Sequence, residues 1–368
     1  MSISSSKSNI NFTNLSDKTL LLVVENFGLN FSGGSTATAR VAEYFEEAFR
    51  ELKVLCKREG KHNLERTHFV YYDSVLELPS MIDEHSDANT IAFGDFHVAH
   101  PLAKKDMPYF FVYHDNWPEL NRFELFTKEE GQDTIDKYGD IFANAVEVFS
   151  VTNYKLPFIS KYNSRATVVR NGLSQALTKK TQKKLNKGNL TVLMAGNIDK
   201  RKYIKAIPMF KALSELGSNG IQIHIYGLVK DESIKEELNK FNFVEVKGFE
   251  DNIRYDAYDV LLNTSLVENL SLSVVDALAN QTPVFSFDVG GIREVVNESN
   301  GRIITDFDIV RMAKSLIEFK NDQTNFLLDR TDFEEFDWEK SATKMLRIMN
   351  ERMDTNVNVG TLKSRNYI

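Results

Sequence analysis

The sequence has very little cysteine and no long apolar run. Its one cysteine, Cys56, excludes an intramolecular disulfide and is typical of a protein from a reducing compartment. No stretch reaches the roughly 18 apolar residues that a membrane-spanning helix needs. Residues 1–18, MSISSSKSNINFTNLSDK, lack the apolar core of a signal peptide and are interpreted as a polar tail. These absences predict a cytoplasmic protein.

An excess of positive charge is also missing. The chain has 45 lysines and arginines against 52 aspartates and glutamates, a formal net charge of -7. This balance argues against general binding of nucleic acid, so no nucleic-acid partner is expected. Of all residues in the sequence, 42% are hydrophobic and 26% are charged, which is the composition of a soluble globular protein. A length of 368 residues is enough for two domains, each with its own core.

Strand and helix patterns alternate along both halves of the chain, which predicts an α/β protein. Continuous apolar runs such as TLLLVVE at 19–25 are typical of parallel strands buried on both faces. The predicted division is a first domain at 19–173, a basic polar linker at 174–188, a second domain at 189–335, a C-terminal helix at 336–353 and a polar tail at 354–368.

A glycine-rich loop follows the first predicted strand. Gly33 and Gly34 lie between that strand and a predicted helix from Thr36 to about Lys57, whose apolar face runs from Val41 to Leu52. A strand, a glycine loop and a helix N-terminus can bind phosphate. A plain tight turn is the alternative.

The most informative stretch is 263–294, NTSLVENLSLSVVDALANQTPVFSFDVGGIRE. Glu268 lies in a loop where helical periodicity begins, and Asp276 follows eight residues later. Amides at the helix start, between two carboxylates, suit a phosphorylated sugar, because amides and the helix dipole attract phosphate. A capped surface helix with two solvated acids is the alternative.

In order and spacing this stretch resembles the donor-site signature of the retaining glycosyltransferases of family 4, the large group 1 family. The matching residues are Glu268, Asp276, Ala277-Leu278-Ala279, Pro283-Val284, Gly290-Gly291 and Glu294. The sequence departs from the family pattern at Asp276, where the family usually has glutamate, and at Asn269 and Ser271, where glycine is common. The resemblance covers about residues 19–350.

The resemblance implies a GT-B fold, in which two Rossmann-like domains with parallel sheets face an interdomain cleft. The first domain would serve the acceptor and the second would hold a nucleotide-sugar donor. The helix at 336–353 would return to pack on the first domain.

The resemblance also implies roles for individual residues. Glu268 would hold hydroxyls of the donor sugar, Asp276 would hold the ribose, and His114 would reach the sugar from the first domain. A hydrogen-bonded histidine at a strand end is the alternative for His114. The remaining residues would meet the diphosphate, and they are Gly33, Gly34, Arg201, Lys202, Asn269, Leu270 and Ser271. A solvated basic surface is the alternative for Arg201 and Lys202.

The implied reaction needs no metal and no cofactor beyond the nucleotide-sugar co-substrate, with a UDP-sugar as the default donor. His97 and His100 follow Asp95 closely enough to suggest a metal site, but no further ligand cluster accompanies them. Glycan, lipid-linked and protein acceptors all stay open, as does peripheral contact of the basic linker with the inner face of a membrane.

Two other functions remain open at this point. Asn197 and Asp276 both depart from the family pattern, so the chain could be a non-catalytic partner subunit that turns over no donor alone. A nucleotide-sugar epimerase on the same fold is the second, and the signature from Glu268 to Glu294 argues against it. Fold alone does not decide among them.

Overall fold

The computed structural model describes residues 12–29, 31–174, 188–322, 326, 328 and 333–354. In the first half of this range the strands are β1 Thr19–Val23, β2 Asn26–Phe27, β3 Glu51–Cys56, β4 Arg58–Glu59, β5 His68–Tyr71, β6 Thr90–Gly94, β7 Tyr109–Tyr113, β8 Glu147–Ser150 and β9 Ala166–Val168. Seven of the described strands form a parallel sheet in the order β5-β3-β1-β6-β7-β8-β9, and β2 pairs with β4.

Helices connect these strands. They are α1 Gly33–Ala48, α2 Leu78–His85, α3 Lys128–Asn144 and α4 Leu156–Ile159, with 3₁₀ helices at His97–Lys104, Glu119–Arg122 and Asn153–Lys155. All five residues of each of β1, β6 and β7 are buried, as expected for central parallel strands that helices cover on both faces.

The second half repeats this architecture. Its strands are β10 Leu190–Ala195, β11 Ile221–Tyr226, β12 Val244–Gly248, β13 Val260–Asn263, β14 Val284–Phe287 and β15 Gly301–Ile304. Its helices are α5 Lys200–Tyr203, α6 Ala206–Leu216, α7 Glu232–Leu238, α8 Leu272–Ala279 and α9 Ile309–Asp322, with 3₁₀ helices at Tyr255–Ala257 and Gly290–Glu294. Within the described residues the six strands form a parallel sheet in the order β12-β11-β10-β13-β14-β15.

Each sheet has a point where its strand order reverses. The chain enters the first sheet at β1, runs out to β5 and returns on the other side at β6. It enters the second sheet at β10, runs out to β12 and returns at β13. Ligands of such sheets bind outside the carboxyl ends of the strands at these reversal points. The glycine loop after β1 and the Glu268 loop after β13 both follow such strand ends.

The predicted helix from Thr36 to Lys57 is wrong in its second part. Helix α1 ends at Ala48, Phe49 is extended with φ -101° and ψ 153°, and the chain continues as β3 beside β1. Leu52, assigned to the helix face, is buried in the sheet with Val54 and Cys56. These three residues alternate with the period of two that a strand requires, and that signal outweighs the helical spacing.

The segment after β10 forms two separate helices, α5 and α6. Pro208 lies in the first turn of α6. Proline has no N–H to continue a helical ladder from the preceding turn, so it is tolerated only near the start of a new helix.

A last helix, α10 Trp338–Asp354, packs against α1 and against the connection between the two halves. The Trp338 indole N–H donates to the carbonyl of Leu173 at 2.6 Å. A side chain on Gly172 would collide with the same indole at 2.5 Å. At the other end of α10, Arg352 lies 2.9 Å from the buried carboxylate of Glu147 in β8.

Part of the predicted N-terminal tail is packed. Among residues 12–18, Leu15 is buried, and the Asn14 N–H donates to the Asn350 side-chain oxygen in α10 at 3.0 Å. The tail prediction rested on polarity, and it missed that Leu15 lies in the core and that Phe12 packs against it.

None of the helices in the described ranges has both the length and the apolar composition to cross a membrane. The basic linker predicted at 174–188, for which contact with a membrane was left open, lies outside the described residues except for Ser174 and Gly188.

Candidate active site

A cavity of about 910 Å³ lies between the two halves and is lined by residues of both. Every residue proposed from the sequence as part of a donor site lines this cavity: Gly33, Gly34, His114, Arg201, Lys202, Glu268, Asn269, Leu270, Ser271 and Asp276. The structure therefore brings together residues that are up to 243 positions apart, from Gly33 to Asp276. Their individual chemical roles remain predictions.

Glu268 is the centre of a compact cluster of charges. Its Oε1 accepts hydrogen bonds from Lys202 Nζ and from the Ser265 hydroxyl, both at 2.8 Å. Arg201 Nη1 lies 3.7 Å from the same oxygen. Burial opposes ionisation of the carboxyl, but the two cations and the two hydrogen bonds outweigh it and hold the pKa of Glu268 below its usual value. Glu268 is therefore an anion at neutral pH although only 8% of it is exposed.

The glycine pair of the signature, Gly290 and Gly291, packs directly against the backbone of the Glu268 loop. Gly290 has φ +56°, and a Cβ there would lie 1.6 Å from the Glu268 carbonyl oxygen. The Gly291 N–H donates to the Asn269 carbonyl at 2.8 Å. A side chain at Gly290 would be both strained and in collision, so the loop can take this place only with glycine opposite it.

Lys202 reaches Glu268 because of the way α5 begins. Asp199 caps this short helix by accepting from the Lys202 N–H at 2.9 Å. Gly196, at the end of β10, has φ +140°, and a Cβ there would fall 2.7 Å from Lys202 Cδ. The glycine after β10 thus leaves the space through which the lysine extends.

His114 follows β7 and is enclosed in the cleft wall. Neither ring nitrogen has a hydrogen-bond partner among the described residues. Burial lowers the pKa of His114 to about 4, so the imidazole is neutral at pH 7. The alternative of a hydrogen-bonded strand-end histidine is therefore wrong. A buried neutral imidazole without a partner can accept and donate one hydrogen bond each, which suits a hydroxyl of a bound ligand.

The glycine loop lies directly beside His114. A Cβ on Gly34 would come within 2.6 Å of Phe96 Cζ and 3.2 Å of His114 Cβ. A Cβ on Gly33 would lie 3.5 Å from the Leu272 side chain at the start of α8. Gly34 therefore allows the N-terminus of α1 to approach the His114 wall, whereas a side chain at Gly33 would meet the second half only in ordinary van der Waals contact.

The shifted pKa of His114 predicts a pH dependence of stability. Its folded pKa of about 4 is below the ordinary value of 6.5, so the unfolded chain binds more protons as the pH falls below 6.5. Because of this residue, the free energy of unfolding should be about 2 kcal/mol lower at pH 5 than at pH 7. Urea unfolding of the wild type and of His114→Gln at both pH values measures it. The mutant should lose about 2 kcal/mol less than the wild type, and equal losses would contradict the assignment.

Asp276 lines the cleft but is engaged by the connection between the halves. Its Oδ1 accepts from the Ser174 N–H at 2.9 Å, and the Ser174 hydroxyl donates to Oδ2. Asp276 is 1% exposed. A ribose could reach this carboxylate only after Ser174 moves, so the ribose contact of Asp276 stays a prediction. Sequence reasoning missed Ser174, which no motif marks.

The side chain of Asn269 bridges the two halves. Its Oδ1 accepts from the Thr152 hydroxyl at 2.7 Å, and its Nδ2 donates to the Tyr113 carbonyl at 3.0 Å. Ser271 occupies the N-cap position of α8 without a side-chain capping bond, and its hydroxyl lies 2.9 Å from that of Ser273. The asparagine that replaces a common glycine therefore fastens the loop to the strand end that carries His114.

Glu294, the last residue of the signature, joins the halves in a similar way. Its carboxylate lies 2.7 Å from Arg170 Nη2 and accepts from the N–H groups of Tyr154 at 2.8 Å and Asn153 at 3.1 Å. Burial opposes ionisation, but these partners hold the pKa of Glu294 below its usual value. Sequence reasoning found Glu294 but not its partners, because nothing in the spacing connects residues 153 and 294.

The histidines considered for a metal site have other contacts. His100 Nε2 lies 2.9 Å from Asp140, and the His97 ring packs edge-on against Tyr138. Asp95 accepts from the Thr38 hydroxyl at 2.8 Å, and burial raises its pKa to about 8. Across the described ranges, no three histidine, cysteine, aspartate or glutamate residues gather in a way that could hold a metal ion.

The family described as group 1 glycosyl transferases matches residues 176–337, the segment that contains the second sheet, α8 and the Glu268 loop.

Two curated proteins are similar to parts of the chain. A poly(ribitol-phosphate) alpha-N-acetylglucosaminyltransferase of Staphylococcus aureus strain COL is 26% identical over 147 residues, which is 36% of this chain and 29% of that protein. A poly(glycerol-phosphate) alpha-glucosyltransferase of Bacillus subtilis strain 168 is 30% identical over 111 residues, which is 28% of this chain and 16% of that protein. The matched segments thus span less than a third of either relative.

Solved structures are similar over nearly the whole chain. WaaG, a glycosyltransferase involved in lipopolysaccharide biosynthesis, superposes with a TM-score of 0.67 at 12% identity, covering 94% of this chain and 97% of WaaG. HepE of Anabaena, in complex with UDP and glucose, gives a TM-score of 0.65 at 15% identity, covering 94% and 99%. At such identities the likeness concerns the fold alone, and it confirms the predicted GT-B fold.

Proposed function

We propose that this protein is a retaining glycosyltransferase of the family 4 type, which moves a sugar from a nucleotide diphosphate sugar, with a UDP-sugar as the default donor. The observation that carries the proposal is the cluster of the buried Glu268 with the half-buried Lys202 and Arg201, which lines one cleft together with an unpartnered neutral His114. A single site then contains cations for a diphosphate and hydrogen-bonding groups for a sugar.

In this reaction the diphosphate departs and leaves an oxocarbenium-like sugar. The leaving group gains negative charge, and cations fixed in a buried site stabilise it more effectively than water would. Lys202 and Arg201, with the amides of residues 269–271, would supply this stabilisation. In the absence of donor Glu268 offsets one of the two positive charges, because its Oε1 lies 2.8 Å from Lys202 and 3.7 Å from Arg201.

Glu268 and His114 would hold the sugar from opposite walls. The Glu268 carboxylate can accept hydrogen bonds from sugar hydroxyls, and the His114 imidazole can make one more from the first half. Asp276 would hold the ribose once Ser174 has moved away from it. No side chain is proposed as a covalent nucleophile, and transfer on the face from which the diphosphate departs would retain the anomeric configuration.

The acceptor is proposed from the relatives. The names of both curated relatives specify a polymer of polyol phosphate as the acceptor, and poly(glycerol phosphate) is one of the two. We propose an acceptor of this kind, an anionic polymer of repeating phosphates. Placement of the enzyme in the cytoplasm beside a membrane that carries such a polymer belongs to the same proposal.

A panel of nucleotide sugars tests the donor assignment. Each is incubated with the protein, and both the shift in melting temperature and the release of nucleotide diphosphate are measured. One donor should raise the melting temperature and release diphosphate, with release increasing when polymer is added. Binding without turnover under every condition would instead favour a non-catalytic partner subunit, and a change in the sugar without release would favour an epimerase.

Removal of divalent metal should leave the reaction nearly unchanged. Lys202 and Arg201 take the place that a divalent cation has in metal-dependent sugar transfer, so saturating EDTA should lower the turnover rate by less than about twofold. The rate is measured in buffer passed over chelating resin, with and without added magnesium or manganese. A rate that depends strongly on either metal would contradict the metal-free account.

A further inference from the structure

The wall that the first half contributes to the cleft carries net positive charge. Among the described residues up to 174 that line the cavity, the charged ones are Arg40, Lys61 and Asp115. The Asp115 carboxylate already accepts hydrogen bonds from the Tyr138 hydroxyl at 2.6 Å and from the Asn116 N–H at 2.8 Å. Arg40 and Lys61 therefore give this wall its net positive charge.

Arg40 lies on α1, two turns beyond Gly33, and lines the cavity together with Thr36. Its Nη1 lies 3.3 Å from Glu43 Oε1. Its Nε is buried and has no hydrogen-bond partner among the described residues. A buried donor without a partner is costly, and a ligand that supplied an acceptor would remove this cost.

Lys61 is held beside the same wall by the short β2–β4 ladder. The Leu29 N–H donates to the Lys61 carbonyl at 2.9 Å, and the Gly60 N–H donates to the Phe27 carbonyl at 2.7 Å. Gly28, with φ +135°, would meet Gly60 at 2.8 Å if it carried a Cβ. These contacts fix the segment before Lys61 next to the loop that leads into α1.

The Lys61 ammonium group is paired with an acid from the other half. Its Nζ lies 2.8 Å from Asp251 Oδ2, and the two side chains are 66% and 50% exposed. Both residues line the cavity, so the pair lies across it. An exposed pair of this kind holds weakly, and a competing anion can therefore replace Asp251.

We propose that Arg40 and Lys61 bind the phosphate groups of an anionic acceptor, and that Asp251 occupies Lys61 until the acceptor arrives. A guanidinium group and an ammonium group both form charge-assisted hydrogen bonds with phosphate oxygens. The inference rests on the proposed function for the nature of the acceptor, and it goes beyond that proposal by assigning the residues that recognise it.

The test is direct binding of poly(glycerol phosphate) by calorimetry at low ionic strength, without donor. Arg40→Gln and Lys61→Gln should each weaken binding about 10- to 150-fold, the range for a lost charge-assisted contact. Arg40→Lys should lose less binding affinity than Arg40→Gln, because lysine keeps the positive charge. It should still bind more weakly than the wild type, because it lacks the Nε–H group. Asp251→Asn should tighten binding about two- to fivefold, because the competing carboxylate is removed.

Two controls sharpen this test. Lys137→Gln breaks a similar surface pair, 2.6 Å from Asp133 on α3, at a residue that does not line the cleft, and it should bind as the wild type does. Dextran, a neutral polymer, should bind much more weakly than poly(glycerol phosphate). Raising the salt from about 50 to about 500 mM should remove most of the difference between wild type and mutants, because screening weakens exposed charge pairs.

The proposal is overturned if Arg40→Gln and Lys61→Gln bind as the wild type does, if Lys137→Gln loses as much as they do, or if dextran binds equally well. Binding is measured without a donor, so its outcome does not depend on sugar transfer. A failure of the acceptor-binding proposal can therefore be distinguished from a failure of the proposed reaction. A protein that binds the polymer through these residues but never turns over a nucleotide sugar would contradict the proposed function alone.

Discussion

Replacing Glu268 with glutamine should lower kcat at least about 100-fold while leaving the fold intact. The substitution keeps the size of the side chain, and an amide oxygen can still accept from Lys202 and Ser265, which now donate to the carboxylate at 2.8 Å. What is lost is the negative charge beside the developing positive charge of the sugar. Removal of one preorganised contact of this kind costs about 10²- to 10³-fold in kcat.

The matched control is Glu250→Gln. Glu250 also lines the cleft, but it is an exposed residue on the loop after β12, and no role in the reaction is assigned to it. The kcat of Glu250→Gln should fall by less than about threefold, as expected for the loss of an exposed charge. Steady-state kinetics with circular dichroism as the folding check compare the two variants. Near-normal turnover in Glu268→Gln would refute the role given to this carboxylate.

Replacing Lys202 with alanine should lower kcat/KM by roughly 10- to 1000-fold. A charge-assisted contact with phosphate contributes about 1.5 to 3 kcal/mol, and more in a closed site of low dielectric. Each factor of ten in rate corresponds to about 1.4 kcal/mol. Much of the loss should appear in the transition state, because the diphosphate gains charge there. The Lys202 ammonium group is already placed inside the cleft, beside Glu268, with 14% of its side chain exposed.

Lys200→Ala is the comparison that makes this prediction specific. Lys200 lies two residues earlier in the same basic turn and also lines the cavity, but it is exposed. A diffuse basic surface would treat both lysines alike, whereas a phosphate contact at Lys202 should leave Lys200→Ala within about threefold of wild type. Alanine is a good helix former, so α5 should survive both changes. Equal losses would indicate a diffuse surface, and a larger loss at Lys200 would mean that the wrong lysine was assigned.

The sequence predicted the parts of the site that depend on local order. Glu268 and Asp276, with Gly290 and Gly291, follow one another in a fixed pattern along a loop, a helix and a turn, so a single stretch could identify them. The strand ends that carry Gly34 and His114 could be placed because parallel sheets gather their ligands at the carboxyl edge.

The contacts that join the two halves could not be predicted in the same way. Asn269 was assigned to the diphosphate and Glu294 to the donor-site signature, and both also fasten one half to the other. Their partners lie more than 100 positions away, and a single sequence contains no information on such pairings. The strand at Glu51–Cys56 was missed for a different reason, since its apolar residues continue the spacing of the helix before it.

The most direct test of a retaining transfer is the configuration of the product. After incubation with the donor that the panel selects and with its acceptor, the anomeric proton of the transferred sugar is observed by proton NMR. A donor with an α-linked diphosphate should give an α-linked product, seen for a gluco-configured sugar as a small anomeric coupling. A β-linked product with a large coupling would contradict the retaining mechanism, and release of nucleotide diphosphate without any glycosidic product would contradict the transfer itself.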